Sequence, residues 1–141
     1  MKFTFKKTER LKSRKTIERL FTGGQSFGVY PLRLVFLKEN EVKGAVPVQF
    51  TASVSKRNFK SAVVRNRLKR RIREAWRLNK HRLYQELSDA PVQYAFMVIY
   101  IAKEEMPYAA VEKAMQAMIR RFIKKNIPPN ANPPEEQQPL S

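Results

Sequence analysis

The sequence has no cysteine, a single histidine and a single aspartate. Without cysteine there can be no disulfides, no thiolate zinc site and no thiol nucleophile. One imidazole, His81, cannot build a multi-histidine metal site and argues against Ser–His catalysis. Acidic residues of any kind are scarce: 12 Asp and Glu stand against 29 Lys and Arg, a formal charge of +17. Asp89 is the only aspartate, and Glu39/Glu41, Glu104/Glu105 and Glu135/Glu136 are short clusters in segments that read as loops or tail. A protein that cuts phosphodiesters gathers several carboxylates around its metal ions. This chain has few to gather, so no catalytic and no metal-ligating residue is expected in it. Long apolar runs are missing too. The most apolar stretch runs from Tyr94 to Ala102, far short of the roughly 20 residues a membrane helix needs. The opening Met1-Lys2-Phe3-Thr4-Phe5-Lys6-Lys7 is charged with no apolar run behind it, unlike a secretory signal. The expectation is a cytoplasmic protein without a membrane partner.

What is present is basic and compact enough to fold. A length of 141 residues fits one domain, and 43% hydrophobic with 11% aromatic residues suffices for a core. The positive excess is too large for an ordinary enzyme of small molecules, and no small-molecule substrate is expected. It points to a polyanion, most naturally nucleic acid. The segment from Pro128 to Ser141 holds five of the nine prolines and no aromatic residue. It reads as a disordered tail, leaving one folded domain in residues 1–127.

Periodicity supplies the elements. Ser13 can cap a helix running to about Thr22, with Ile17, Leu20 and Phe21 on one face, and with Gly23 and Gly24 ending it through a left-handed conformation. Tyr30 to Leu37 reads as a strand. Val48, Phe50, Ala52 and Val54 alternate with Gln49, Thr51, Ser53 and Ser55, a period of two with one buried face. Gly44 and Pro47 lie in the connection. From Ser61 to about Leu87 the period becomes helical, with Val64, Leu68, Ile72, Ala75 and Trp76 on the apolar arc. Tyr94 to Ile101 lacks polar positions, as a strand buried on both faces does. Pro107 can occupy the first position of a last helix, whose stripe is Val111, Met115, Met118, Ile119 and Phe122. The order is α-β-β-α-β-α. It predicts an α+β fold, a small α/β sandwich with helices packed on one mixed sheet. Trp76, Met115 and Met118 read as core and His81 as surface. Phe21 fits core or cleft wall equally well.

Charge concentrates on the long helix. Residues 56–82 carry twelve Lys and Arg and one acid, Glu74. At about 100° per residue, the cations Arg67, Lys69, Arg70, Arg73 and Arg77 fill the side opposite the apolar arc. Arg71 sits near its edge, and Arg65 falls inside the arc, close enough to the helix start to reach past it. Like charges at i, i+4 (Arg65/Lys69, Lys69/Arg73, Arg73/Arg77) each destabilise an isolated helix by a few tenths of a kcal/mol. A sequence that keeps them uses the field. A strand precedes this helix, not the short helix of a helix-turn-helix DNA reader. Arg-dominated density suits phosphate clamping and RNA shape.

Ser53-Val54-Ser55-Lys56-Arg57 followed by Ala62-Val63-Val64-Arg65-Asn66-Arg67-Leu68-Lys69-Arg70-Arg71-Ile72-Arg73-Glu74-Ala75-Trp76-Arg77 closely resembles the protein subunit of bacterial ribonuclease P. The R-N-R motif and its basic run stand behind the S-V-S-K strand end. Arg10-Leu11-Lys12-Ser13 resembles the family's R-L-K opening. The resemblance spans residues 10 to about 125. It implies a fold like the second domain of the fifth small-subunit ribosomal protein, with a left-handed βαβ crossover. It further implies that a partner RNA performs magnesium-dependent removal of the 5′ leader from precursor tRNA, with magnesium held mainly by that RNA. Carried over by position, Arg65, Asn66, Arg67, Arg70 and Arg71 would face the ribonuclease P RNA. Phe21, Lys56, Arg57, Lys69 and Arg73 would line the cleft for the leader of precursor tRNA. Two family aromatics are Ile17 and Val35 here, and the loop Asn58-Phe59-Lys60-Ser61 lacks a glycine common in the family. The rival readings are a ribosomal or ribosome-assembly RNA binder and a basic DNA-binding protein.

Overall fold

The computed structural model describes residues 4–39, 46–88 and 92–127. Glu41, Gly44, Asp89, Glu135, Glu136 and the whole expected tail from Pro128 to Ser141 lie outside the described residues. A 3-10 turn (Lys7–Glu9) leads to α1 (Arg14–Gly23), β1 (Gln25–Val29), β2 (Leu32–Lys38), β3 (Val48–Val54), α2 (Ala62–Asn79), α3 (His81–Leu87), β4 (Tyr94–Tyr100) and α4 (Tyr108–Asn126). The sheet runs β1-β2-β4-β3. β2 is antiparallel to β1 and β4, while β3 and β4 are parallel. The α+β class and the mixed sheet are therefore as the sequence predicts.

Four details differ. β1 is an additional strand. Gln25, Ser26 and Gly28 hide it from a hydrophobic pattern, and as an edge strand it buries only Phe27. The expected helix from Ser61 to Leu87 is interrupted at Lys80, though Lys80 keeps helical dihedrals (φ −67°, ψ −22°). Pro107 is the N-cap of α4, not its first residue. Gly24 ends α1 in an extended conformation (φ −73°, ψ 151°), not a left-handed one. Its lack of a side chain serves close approach instead. A Cβ there would lie 2.6 Å from the Leu20 carbonyl oxygen and 2.9 Å from Val35 Cγ1.

β4 lies between β2 and β3, and helices cover both of its faces, α2 and α4 on one and α1 on the other. Its even and odd positions feed two separate cores. Phe96, Val98 and Tyr100 point toward α2, α3 and α4, together with Leu34, Phe36 and Phe50. Ala95 and Met97 point the other way and pack with Val35, Leu11 and Leu20 beneath α1. The larger core is aromatic. Trp76 is fully buried and stacks on Phe50 at 4.6 Å and 9°. Phe122 meets Phe36, Tyr94 and Phe96 edge-on at 4.8 to 5.0 Å. Such pairs add about 0.5–1.5 kcal/mol each beyond area burial. Met115 and Met118 are core as expected. Phe21 is 67% exposed, which removes the core alternative for it. His81 is half-buried at the start of α3, more enclosed than the surface position expected of it.

Candidate nucleic-acid interface

Ser61 caps α2, its hydroxyl oxygen accepting from the Val64 N–H at 3.3 Å. The helix buries Leu68, Ile72, Ala75 and Trp76 and turns its basic side outward. The structure sorts five of those cations into three groups. Arg65 reaches back past the helix start, and its Nη1 donates to the carbonyls of Phe59 (2.8 Å) and Lys60 (2.9 Å). It therefore braces the loop Asn58-Phe59-Lys60-Ser61. Arg67 and Arg71 lie on one flank and share the carboxylate of Glu105. Lys69 and Arg73, one turn apart, lie on the opposite flank. Burial, then the charges of Arg10 and Arg70, lower the Arg73 guanidinium from its usual value. Arg10 and Arg70 therefore stand close enough to Arg73 to repel it.

Arg10 reaches this flank because the N-terminal segment runs beside β3. Arg10 forms a parallel bridge with Phe50, and the Leu11 N–H donates to the Phe50 carbonyl at 2.9 Å. The Arg10 guanidinium stacks over Phe5 at 5.3 Å. A buried ion pair anchors the segment. Glu9 (3% exposed) accepts from Lys80 (6% exposed), from the Lys6 N–H at 2.7 Å and from the Tyr84 hydroxyl at 2.7 Å. Burial would raise the Glu9 carboxyl, but these three donors hold it below the usual carboxylate range. Burial, reinforced by Glu9, pushes the Tyr84 phenol well above its ordinary value.

The field on α2 is less uniform than the helical wheel implies. Glu74 pairs with Arg77, Nη2 to Oε2 at 2.6 Å, which lowers the Glu74 carboxyl and raises the guanidinium. Glu105 does the same for Arg67. Asn66 and Arg70 remain exposed on the outermost side. Lys56 and Arg57 are exposed in the turn after β3. Phe21 stands on α1, which packs on the other face of the sheet. That face also carries the half-buried Gln49, Thr51 and Ser53 of β3. A cleft joining Phe21 to Lys69 and Arg73 therefore has to pass around the β3 edge, past Arg10.

Sequence reasoning missed Glu105, Arg10 and the Glu9–Lys80–Tyr84 cluster as parts of this surface. Glu105 reads as one more loop acid, and nothing local ties Glu9 to a lysine 71 residues away. A concavity of about 250 Å³ lies where α2, α3 and α4 meet, lined by Asn79, His81, Arg82, Gln116, Ile119 and Arg120. No acid lines it.

Comparison with known proteins decides the family. The family model described as Ribonuclease P matches residues 5–123. The chain belongs to the ribonuclease P protein family. The ribonuclease P protein component of Porphyromonas gingivalis is 41% identical over 130 residues, covering 92% of this chain and 93% of the relative. That of Chlorobium phaeobacteroides is 38% identical over 107 residues, covering 70% and 72%. Two solved structures share the fold. The Staphylococcus aureus ribonuclease P protein aligns with a TM-score of 0.61 at 21% identity, over 85% of this chain and 98% of that one. The Thermotoga maritima ribonuclease P protein aligns at 0.60 and 24%, over 80% and 96%. No helix among the described residues is long and apolar enough to cross a membrane.

Proposed function

We propose that this chain is the protein partner of a ribonuclease P RNA and assists removal of the 5′ leader from precursor tRNA. The observation that carries the reading is the exposed basic side of α2, with Asn66 and Arg70 outermost, in a chain of the ribonuclease P protein family. Arg65, Asn66, Arg67, Arg70 and Arg71 contact the catalytic RNA. Lys69 and Arg73, joined by Arg10, meet the leader phosphates along the β3 edge. Lys56 and Arg57 form the rim of that path, and Phe21 offers an exposed ring for a leader base to stack on. Phosphate contacts of this kind position an RNA without reading its sequence.

The reaction depends on magnesium held mainly by the RNA subunit. Among the described residues no three His, Asp, Glu or Cys side chains converge. The chain's own part is electrostatic. It neutralises phosphates that would otherwise repel one another when leader and catalytic RNA meet.

The test is cleavage of labelled precursor tRNA at low magnesium by the chain alone, by a bacterial ribonuclease P RNA alone, and by both. Cleavage only with both, or much faster with both, supports the reading. Tight RNA binding without enhancement would move the protein to the ribosomal or assembly class. Cleavage by the chain alone would overturn the assignment of the chemistry to RNA.

A further inference from the structure

Arg67 and Arg71, one helical turn apart, converge on one carboxylate. Arg67 grips Glu105 with two donors, Nε to Oε2 and Nη2 to Oε1, the latter at 2.9 Å. Arg71 Nη2 lies 3.2 Å from Oε2, and its Nη1 donates to the Met106 carbonyl at 2.7 Å. The loop that delivers Glu105 is fixed from below. Tyr100 is 1% exposed, and its hydroxyl donates to the Glu104 carbonyl at 2.7 Å and accepts from the Met106 N–H at 2.9 Å. The residues on both sides of Glu105 are thus tied to one buried oxygen.

An exposed ion pair between two free side chains contributes little, because ordering both costs entropy. Here the backbone has already placed the acid. Two oxygens presented to a guanidinium fork also match how a phosphodiester is gripped. With acids so scarce in this chain, one is nevertheless built into its most basic surface.

We propose that Glu105 is a resident surrogate for an RNA phosphate, holding Arg67 and Arg71 in binding geometry until RNA displaces it. The proposal rests on the reading that this side of α2 faces RNA. Binding here is then an exchange of one anion for another. Every RNA must evict the carboxylate, and only one that places a phosphate across both guanidiniums recovers the loss. Arg70, with no acid partner among the described residues, attracts any polyanion. Glu105 thereby sharpens the choice of RNA and weakens the salt dependence, because the displaced anion is covalently attached rather than a released counterion.

The test is Glu105→Gln, with binding of ribonuclease P RNA and of an unrelated RNA duplex followed by fluorescence anisotropy across a salt series. The expected result is tighter binding of both, with the larger gain for the unrelated duplex. The log–log salt slope should steepen by roughly one, at about 0.9 per additional phosphate neutralised on a duplex. Glu105→Ala, which also removes the neutral acceptor, should move affinity in the same direction. Unchanged or weaker binding with an unchanged slope would overturn the proposal and leave Glu105 as a loop anchor. Arg70→Ala in both backgrounds separates the two levels. If it weakens RNA binding while Glu105→Gln changes nothing, only the surrogate role fails. If neither Arg70→Ala nor Arg67→Ala affects RNA binding, the reading of the α2 surface fails, and the surrogate with it.

Discussion

Replacing Lys80 by Met should damage this protein more than any surface charge change. The side chains of Lys80 and Glu9 are 7% and 5% exposed, so each relies on the other for most of its neutralisation. Met keeps the apolar stem and removes the ammonium. Glu9 would keep the Lys6 N–H and the Tyr84 hydroxyl, both at 2.7 Å, but would lose its counter-charge. Removing one partner of a buried pair costs about 3–5 kcal/mol, and the two surviving donors favour the lower end. For a domain of this size that is a fall in Tm on the order of 10 °C. The double variant Glu9→Gln with Lys80→Met leaves no buried charge and should recover most of the loss. The pH dependence has a definite sign. The Glu9 carboxyl is lowered in the folded state. Its contribution is therefore complete above the ordinary carboxylate range and is lost as pH falls through the folded value. In Lys80→Met, burial without the cation raises the carboxyl instead, so the gap to wild type should narrow toward acid pH. Urea unfolding reports this directly, because Trp76 is the only tryptophan and lies 6.4 Å from the Tyr84 ring. A loss below about 1 kcal/mol at neutral pH, or a double variant no more stable than the single one, would refute the reasoning.

Three further outcomes follow from the same contacts. Arg73→Ala or Lys69→Ala should weaken precursor tRNA binding to the holoenzyme more than mature tRNA binding; equal losses would remove these residues from the leader path. Gly24→Ala should destabilise the fold by roughly 1–3 kcal/mol through overpacking, because its Cβ would meet the Leu20 carbonyl, and a neutral result in thermal unfolding would contradict that close approach. Trp76→Ala should cost about 3–5 kcal/mol and abolish the tryptophan emission; urea titration followed by circular dichroism measures the loss.

Most of the fold is legible because its elements announce themselves over short spans. Val48, Phe50 and Val54 alternate within one strand, and Leu68, Ile72, Ala75 and Trp76 recur within one helix. β1 is not legible, since an edge strand with a single buried residue needs no hydrophobic pattern. The break at Lys80 is not legible either. The helical period continues to Leu83 and Leu87, and only the inward Lys80 side chain, drawn to Glu9, marks the junction.

The candidate surface divides along the same line. Its sign, its place on α2 and the Arg65 reach past the helix start depend on neighbours within a few turns, and residue order alone carries them. Which cations stay open depends on distant acids: Glu105 lies 38 residues from Arg67, and the Glu9 that anchors the Arg10 segment lies 71 from Lys80. A helical wheel contains neither acid. Charge is a property of composition, but its neutralisation requires two groups within a few ångströms of each other, and only the folded chain brings them there.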